Sequence, residues 1–301
     1  LAFAAERHLR ARQSAAMSVR AVPLVPQPCA PLDRALLVYC SLMALALLAV
    51  MGVAVLASLV SFWPYNLSLS FKHYQFDLMD GGGWASYFNS IQLALFSAAA
   101  GTLLIFVIAL FAERFKGHPA LKSYVQMLVL LPLAVPGLVL GIAYILFFNA
   151  PENPVSALYG TMALLVISTV IHYYTVPHLT LSNAIKQIPA QLDQAAQSLG
   201  ASNWKMFCKV YLPLTFPALC DVSVYLFVNA MTTVSAAIFL YSPDTSLASV
   251  AVLNMDDAGD TVAAVAMSIL ILATSCAVKL LHWLLTRKMM KSSQRWREHR
   301  H

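Results

Sequence analysis

An all-α, polytopic membrane protein is the fold class this sequence predicts, and three observations predict it. Apolar residues make up 60% of the 301 residues and charged residues only 11%, against about 25% charged in a soluble globular chain. The apolar stretches run on continuously for about 20 residues or more, the length a helix needs to cross a bilayer, and do not alternate as in an outer-membrane barrel. Lysine and arginine gather in alternate connections between those stretches, the pattern that orients helical membrane proteins. A net charge of +6 in a soluble chain would suggest nucleic acid. Here the basic residues flank apolar spans, so they are read as setting orientation, and no nucleic-acid partner is expected.

The chain opens with apolar LAFAA followed by ERHLRARQ. That order is the reverse of a signal peptide, which places its basic residues first. Residues 1–34, rich in proline and arginine, read as a basic cytoplasmic tail or as a linker from an upstream half. A start site upstream of Met17 set too early is the other reading. Six transmembrane helices follow within a membrane domain of residues 35–290, at about 35–62, 87–112, 121–148, 158–181, 214–241 and 262–286. A basic tail, 291–301, closes the chain.

Arg7, Arg10, Arg12, Arg20 and Arg34 precede the first span. Arg114, Lys116 and Lys122 follow the second, Lys186, Lys205 and Lys209 the fourth, and Arg287 to Arg300 the sixth; the opposite side carries only Lys72. Both termini are therefore expected in the cytoplasm. The outer connections are acidic instead. The first holds Asp77, Asp80 and the Gly81-Gly82-Gly83 turn. The third, 242–261, holds Asp244, Asp256, Asp257 and Asp260, with Leu247, Val250, Ala251 and Asn254 suggesting a short interfacial helix. The aspartate spacing lacks the order and terminal Glu of a calcium loop, so no metal is expected, and a docking surface for an extracytoplasmic partner is the better reading. The five cysteines show no zinc or redox spacing and no disulfide is expected.

Within the spans, polar and helix-breaking residues mark positions that face protein and not lipid. Pro132, Pro136, Gly137 and Gly141 are expected to bend or loosen the third span, and Pro177 the fourth. His172 and His178, six apart with no third ligand, read as hydrogen-bonded helix residues. The fifth span is the polar one: Asn229, Thr232, Thr233 and Ser235 near its middle are candidates for lining a solute path. Asp221 lies near the cytoplasmic end of that span, Lys279 and His282 near that of the sixth, and a buried structural pair is expected there.

The most informative stretch is about 185–213, which ends in LDQAAQSLGASNWKMFCKVYLPL. Ile185, Ile188, Leu192, Ala195, Ala196 and Leu199 recur at spacings of three and four, one face of a helix. Pro189 suits its first turn, and Gly200 can take the left-handed conformation that ends it. Ser202 is a fit N-cap for a second short helix, with Trp204, Phe207, Cys208 and Tyr211 on its apolar face and Pro213 as its stop. This helix–turn–helix is too polar to cross a bilayer and too apolar on one face to lie free in water, so something must cover it.

Gln194, Ala195, Ala196, Gly200, Val210, Leu212 and Pro213 fall in register with the coupling motif of ABC-importer permeases: Glu-Ala-Ala, three residues, Gly, nine residues, an aliphatic residue, any residue, Leu-Pro. The chain is similar to the type I permeases of that family from its first span to its sixth. Gln194 stands where the family usually has Glu, and Asp193 is the neighbour that can compensate. The resemblance implies a six-helix permease fold in a bacterial inner membrane, working with a second such core, two ATPase subunits and a periplasmic binding protein. It implies that Asp193, Gln194, Ala195, Ala196, Gly200, Trp204, Phe207, Leu212 and Pro213 engage the ATPase. It also implies that the chain needs no cofactor and catalyses no reaction itself. The sequence lacks a phosphate-binding loop ending in Gly-Lys-Ser/Thr.

The segment FVNAMTTVSAAIFLYSPDTSLASVAVLNMDDAGDT looks like the ferric-iron and phosphonate branch, most like 2-aminoethylphosphonate permeases. Thr232-Thr233-Val234 stand where iron-type members tend to have Glu. A ferric-iron or polyamine permease is the alternative within the family. An ion-gradient secondary carrier is the alternative outside it, and the coupling spacing argues against that class.

Overall fold

The computed structural model describes residues 29–114, 119–150 and 152–298. The expected linker or tail before residue 29 lies outside them. The described helices are α1 (Ala30–Leu59), α2 (Gly83–Arg114), α3 (Pro119–Ala134), α4 (Gly137–Phe148), α5 (Met162–His172) and α6 (Thr175–Lys186). They continue as α7 (Ala190–Ser198), α8 (Asn203–Met206), α9 (Leu212–Met231), α10 (Ala248–Asp257) and α11 (Thr261–Glu298). The chain divides into two compact units, Leu1–Gly52 and Val53–His301, with the division inside α1. Within the first, the described residues are almost wholly the N-terminal part of α1. That helix starts at Ala30, earlier than expected, because Pro31 fits a first helical turn and Asp33 complements its positive end.

In the second unit, α9 packs along α2, α6 lies against both, and α11 packs on α9 and α10. The shared core includes Leu93, Ile105 and Phe106 of α2, Leu181 and Ile185 of α6, Leu226 and Met231 of α9 and Met267 of α11. Gly101 permits the close approach of α2 to its neighbours, since a Cβ there would lie 2.9 Å from side-chain carbons of both Leu226 and Val170. A small antiparallel hairpin, β1 (Val60–Phe62) with β2 (Asn66–Leu69), follows α1, where the sequence suggested continued helix. Asp77 of the next connection accepts a hydrogen bond from the Trp84 backbone N–H at 3.2 Å, capping the start of α2 from outside the helix.

Four described helices are long and apolar enough to cross a membrane, at 30–59, 83–114, 204–231 and 261–287; the count rises to six if each of two bent pairs is one span. The bent pairs correspond to the expected third and fourth spans, which bend as expected, to the point of breaking. The first bends by 103° between Ala134 and Gly137. Pro136 pushes Val135 out of the helical region and offers no N–H. The second bends by 60° at Tyr173–Tyr174. Pro177 cannot bond the carbonyl four residues back, at Tyr173, and instead sits in the first turn of a new helix. Across the two breaks, the Thr175 hydroxyl donates to the Val129 carbonyl at 2.7 Å.

The fifth span is shifted toward the N-terminus. Helical structure runs from Trp204 to Met231 and does not stop at Pro213. A π-helical turn over Phe207–Tyr211, in which the Leu212 N–H bonds to the Phe207 carbonyl five residues back, carries α8 into α9 and seats Pro213 at the second position of α9. Beyond Met231 the chain leaves the helix. Residues 235–239 lie against α4, where a Cβ on Gly141 would come within 3.1 Å of the Ala236 carbonyl. The segment expected to be a surface helix, α10, is packed between α2 and α11, with Leu247, Val250, Ala251 and Met255 buried. Gly81, at φ +113, brings the first outer connection against Ala251.

Candidate functional site

The stretch singled out by its spacing folds as a helix, a tight turn and a second helix. α7 ends where the Ala201 N–H reaches back to the Ala196 carbonyl at 2.9 Å, a bond that requires the intervening Gly200 at φ +67. Ser202 then caps α8, its hydroxyl accepting from the Lys205 N–H at 3.4 Å. Ile185 and Ile188, expected on the same face as α7, precede it: Ile185 is in the last turn of α6, Ile188 in the break at 187–189, and both are buried.

The apolar face of this unit is divided in two. Ala196, Phe207 and Val210 turn inward onto the core, where Phe207 meets Phe106 of α2 at a ring distance of 5.6 Å. Gln194, Ala195, Leu199 and Trp204 turn outward. Leu199 is 84% and Trp204 72% exposed, one on each side of Gly200. Trp204 lies stacked on Phe207 at 5.4 Å, so the outer ring rests on an inner one that is fixed. Leu212 and Pro213 stand at the start of α9, outside this outward pair.

Beneath the turn is a polar cluster. Arg114, the last residue of α2, donates from Nη1 to Asp193 Oδ2 at 2.9 Å and from Nη2 to the Ile185 and Ile188 carbonyls at 2.7 and 2.8 Å. The Tyr211 hydroxyl donates to the other carboxylate oxygen of Asp193, and the Arg114 guanidinium lies 5.3 Å from the Tyr211 ring centroid. Lys186 and Glu113 add an ion pair at 3.2 Å between the ends of α6 and α2. Asp193 is thus turned inward and does not supply, beside Gln194, the outward acid expected to compensate for the missing Glu. Sequence reasoning missed Arg114 and the Tyr211 hydroxyl as parts of this site. Arg114 reads as one of several basic residues ending a span, and its partner lies 79 positions away.

The groups expected to line a solute path do not share a helix face. Asn229 donates to the Tyr225 carbonyl at 2.8 Å within α9, and Thr232, just past its end, to the Val228 carbonyl at 3.2 Å. Thr233 is 2% exposed and faces the interior. Ser235 lies against Gly137, leaving no room there for a Cβ. The reason is that α9 ends at Met231, so residues 232–235 turn away from its axis.

Close to Ser235 the two helix breaks enclose a cleft of about 390 Å³, lined by Pro132–Gly137, His172, Tyr173, Thr175, Val176 and Tyr225. His172 Nδ1 is buried there without a hydrogen-bond partner, and the ring meets that of Tyr173 at 4.6 Å. His178 is hydrogen-bonded to Tyr174 at 3.1 Å, as a helix residue.

Asp221 pairs with His282, one of its two expected partners, at 3.2 Å, and the carboxylate is 59% exposed within this chain, on a helix apolar and long enough to cross a membrane. α9 presents Asp221 on a face that its neighbours in the chain leave uncovered. Asp244, Asp256, Asp257 and Asp260 are all exposed, the last three at and just beyond the C-terminal end of α10.

A putative ferric transport system permease protein of Haemophilus influenzae is 35% identical over 174 residues, 56% of this chain and 26% of that protein, so the chain spans about a quarter of that relative's length. A putative 2-aminoethylphosphonate transport system permease protein of Salmonella typhimurium is 26% identical over 227 residues, 74% of this chain and 83% of that protein. The crystal structure of a bacterial ABC transporter involved in the import of the acidic polysaccharide alginate shares the fold, with a TM-score of 0.69 over 86% of this chain and 97% of that chain at 16% identity. The inner membrane component of binding-protein-dependent transport systems is the family whose description matches residues 105–291, more than half of the sequence and the whole of the clamped turn and the cleft, and this chain belongs to that family.

Proposed function

We propose that this chain is the membrane-spanning permease of an ATP-driven importer, and that its 190–211 turn is where a separate ATPase subunit seats. The observation that carries this reading is the outward pair Leu199 and Trp204, exposed on a turn whose inner face is fixed. Together with Ala195, and with Gln194 beside them, they form an apolar knob on a polar connection, which water solvates badly. A groove on a partner that accepts it would remove that surface from water. The knob lies on the side rich in lysine and arginine, which supports a cytoplasmic ATPase with both termini on the same side. A second permease core, a binding protein docking near Asp244, Asp256, Asp257 and Asp260, and an inner-membrane location complete the reading. Family membership displaces the ion-gradient carrier as a reading of this chain.

The solute is proposed to be 2-aminoethylphosphonate. Two things support it: the match to the phosphonate permease covers most of both chains, and the described cleft is lined by His, Tyr and Thr with no carboxylate. A cation such as ferric iron would call for anionic oxygen ligands, whereas a small zwitterion needs hydrogen-bond donors. Ferric iron is the second reading, favoured by the higher identity to the ferric permease.

The test is uptake by membrane vesicles containing the chain with its cognate ATPase and binding protein. Labelled 2-aminoethylphosphonate should accumulate with ATP, and ferric iron should not. Iron uptake without phosphonate uptake would replace the solute. Accumulation of either without ATP would overturn the importer itself.

A further inference from the structure

We propose that Arg114, Asp193 and Tyr211 form a mechanical latch that makes the ATPase-facing turn move as one body with α2, α6 and α9. The proposal rests on the coupling role given to that turn and names the residues that transmit its displacement; none of the three is part of the outward face. The guanidinium of Arg114 holds three acceptors from two different elements. Two are the carbonyls of Ile185 and Ile188, at the end of α6, and one is the carboxylate of Asp193 in the first turn of α7. Asp193 in turn accepts from Tyr211, the last residue of the π-helical turn that leads into α9. One cation and one carboxylate therefore join the ends of four helices.

The need for such a latch follows from what surrounds it. α7 has only nine residues and follows a break at 187–189, and the Gly200 turn has no neighbour within 4 Å of where a Cβ would be. A short helix between two breaks, pushed from outside, would pivot on those breaks unless tied down. Its inward contacts through Ala196 and Phe207 are apolar and nondirectional. The hydrogen bonds to Arg114 are directional, and they end on α2, the helix along which α9 packs. The π-helical turn lies between knob and span, a position at which such turns often mark functional sites. The Tyr211–Asp193 bond fixes its far end.

The geometry also fixes which side chain can serve. The two terminal nitrogens of Arg114 point to different acceptors, whereas a lysine has one nitrogen and cannot hold a carboxylate and two carbonyls in the same fork. Arg114→Lys should thus keep the charge while losing the latch. These are positioning residues, and a merely structural role would lower the amount of assembled complex rather than its efficiency.

The experiment uses the full chain with its ATPase and binding protein in vesicles, measuring uptake per ATP hydrolysed after normalising to the ATPase bound. The probes are labelled 2-aminoethylphosphonate and ferric iron, whichever the wild type accumulates. Asp193→Asn, Tyr211→Phe and Arg114→Lys should each bind the ATPase as the wild type does. Uptake per ATP should fall roughly tenfold for Asp193→Asn and Arg114→Lys, the scale of a hydrogen bond to a charged group, and less for Tyr211→Phe. Asp193→Asn and Tyr211→Phe should be non-additive, because they remove the same bond. Tyr211→Phe, which deletes one hydroxyl, is the variant least able to disturb folding. Leu199→Asp in parallel separates the two ideas. If it abolishes ATPase binding while the three latch variants transport with wild-type efficiency, the latch is wrong and the docking turn stands. If Leu199→Asp also binds ATPase normally, the docking reading fails. Loss of ATPase binding in all three latch variants would make the cluster part of the docking surface and overturn the latch.

Discussion

Gly200 is the residue at which local chemistry and function meet most simply. Its φ of +67 is a conformation that side chains rarely adopt, and nothing lies within 4 Å of where a Cβ would sit. A substitution there is resisted by the backbone alone. Gly200→Val should cost on the order of 1–3 kcal/mol in local strain. Asn tolerates the left-handed region, so Gly200→Asn should keep the turn. Uptake and ATPase co-purification should therefore be lost with Val and largely kept with Asn; equal loss in both would point to steric exclusion at a partner surface. Asp221 gives the opposite case. Its carboxylate, paired with His282, is left uncovered by this chain on a helix apolar and long enough to cross a membrane, so Asp221→Ala should leave the yield of folded chain unchanged, as measured by size-exclusion profile in detergent.

At the scale of elements, the helix–turn–helix separates inward from outward residues that are adjacent in sequence. Ala196 is packed against the core and Ala195 is exposed. Ala196→Asp would place a carboxylate among apolar neighbours, about 1–3 kcal/mol or more for an unpaired polar group, and should lower the melting temperature. Ala195→Asp should leave the melting temperature unchanged and weaken ATPase binding. A matching drop in melting temperature for both would mean that the two faces are not distinct. The contact of α4 with residues 235–239 is similarly exacting: a Cβ on Gly141 would lie 3.1 Å from the Ala236 carbonyl and 3.2 Å from its Cα. Neither atom can rotate aside, so Gly141→Ala should destabilise by roughly 1–3 kcal/mol through overpacking, seen as an earlier thermal transition.

Which of these features could be read from the sequence depends on their range. Gly200 and Pro136 act through their own backbone and Ser202 through a hydroxyl three residues from its donor, and each was legible from its type and neighbours. The end of α9 was not, since AAIFLY continues the apolar composition past Met231; packing of residues 235–239 on Gly137 and Gly141 ends the helix there. Pro213 misled because a proline signals a stop only when the preceding turn is α-helical, and the π-helical turn absorbs it. The Arg114–Asp193 pair spans 79 positions and leaves no periodic trace.

In the whole molecule, a membrane component of a binding-protein-dependent transport system carries one outward-facing turn, at Leu199 and Trp204. The broken pairs enclose a cleft, but a cleft has no source of energy of its own. The 190–211 turn supplies that link if an ATPase seats on Leu199 and Trp204. The most direct test is co-purification of the cognate ATPase with the full chain, wild type beside Leu199→Asp, from membranes in which both chains are present in equal amount. Leu199 touches no span, so the variant should insert and fold as the wild type does. A carboxylate buried without a partner in the interface should weaken binding roughly tenfold or more, leaving the permease in the membrane and the ATPase in the wash. Retention of the ATPase at the wild-type level, with ATP-driven uptake intact, would contradict the assignment of this turn as the ATPase seat.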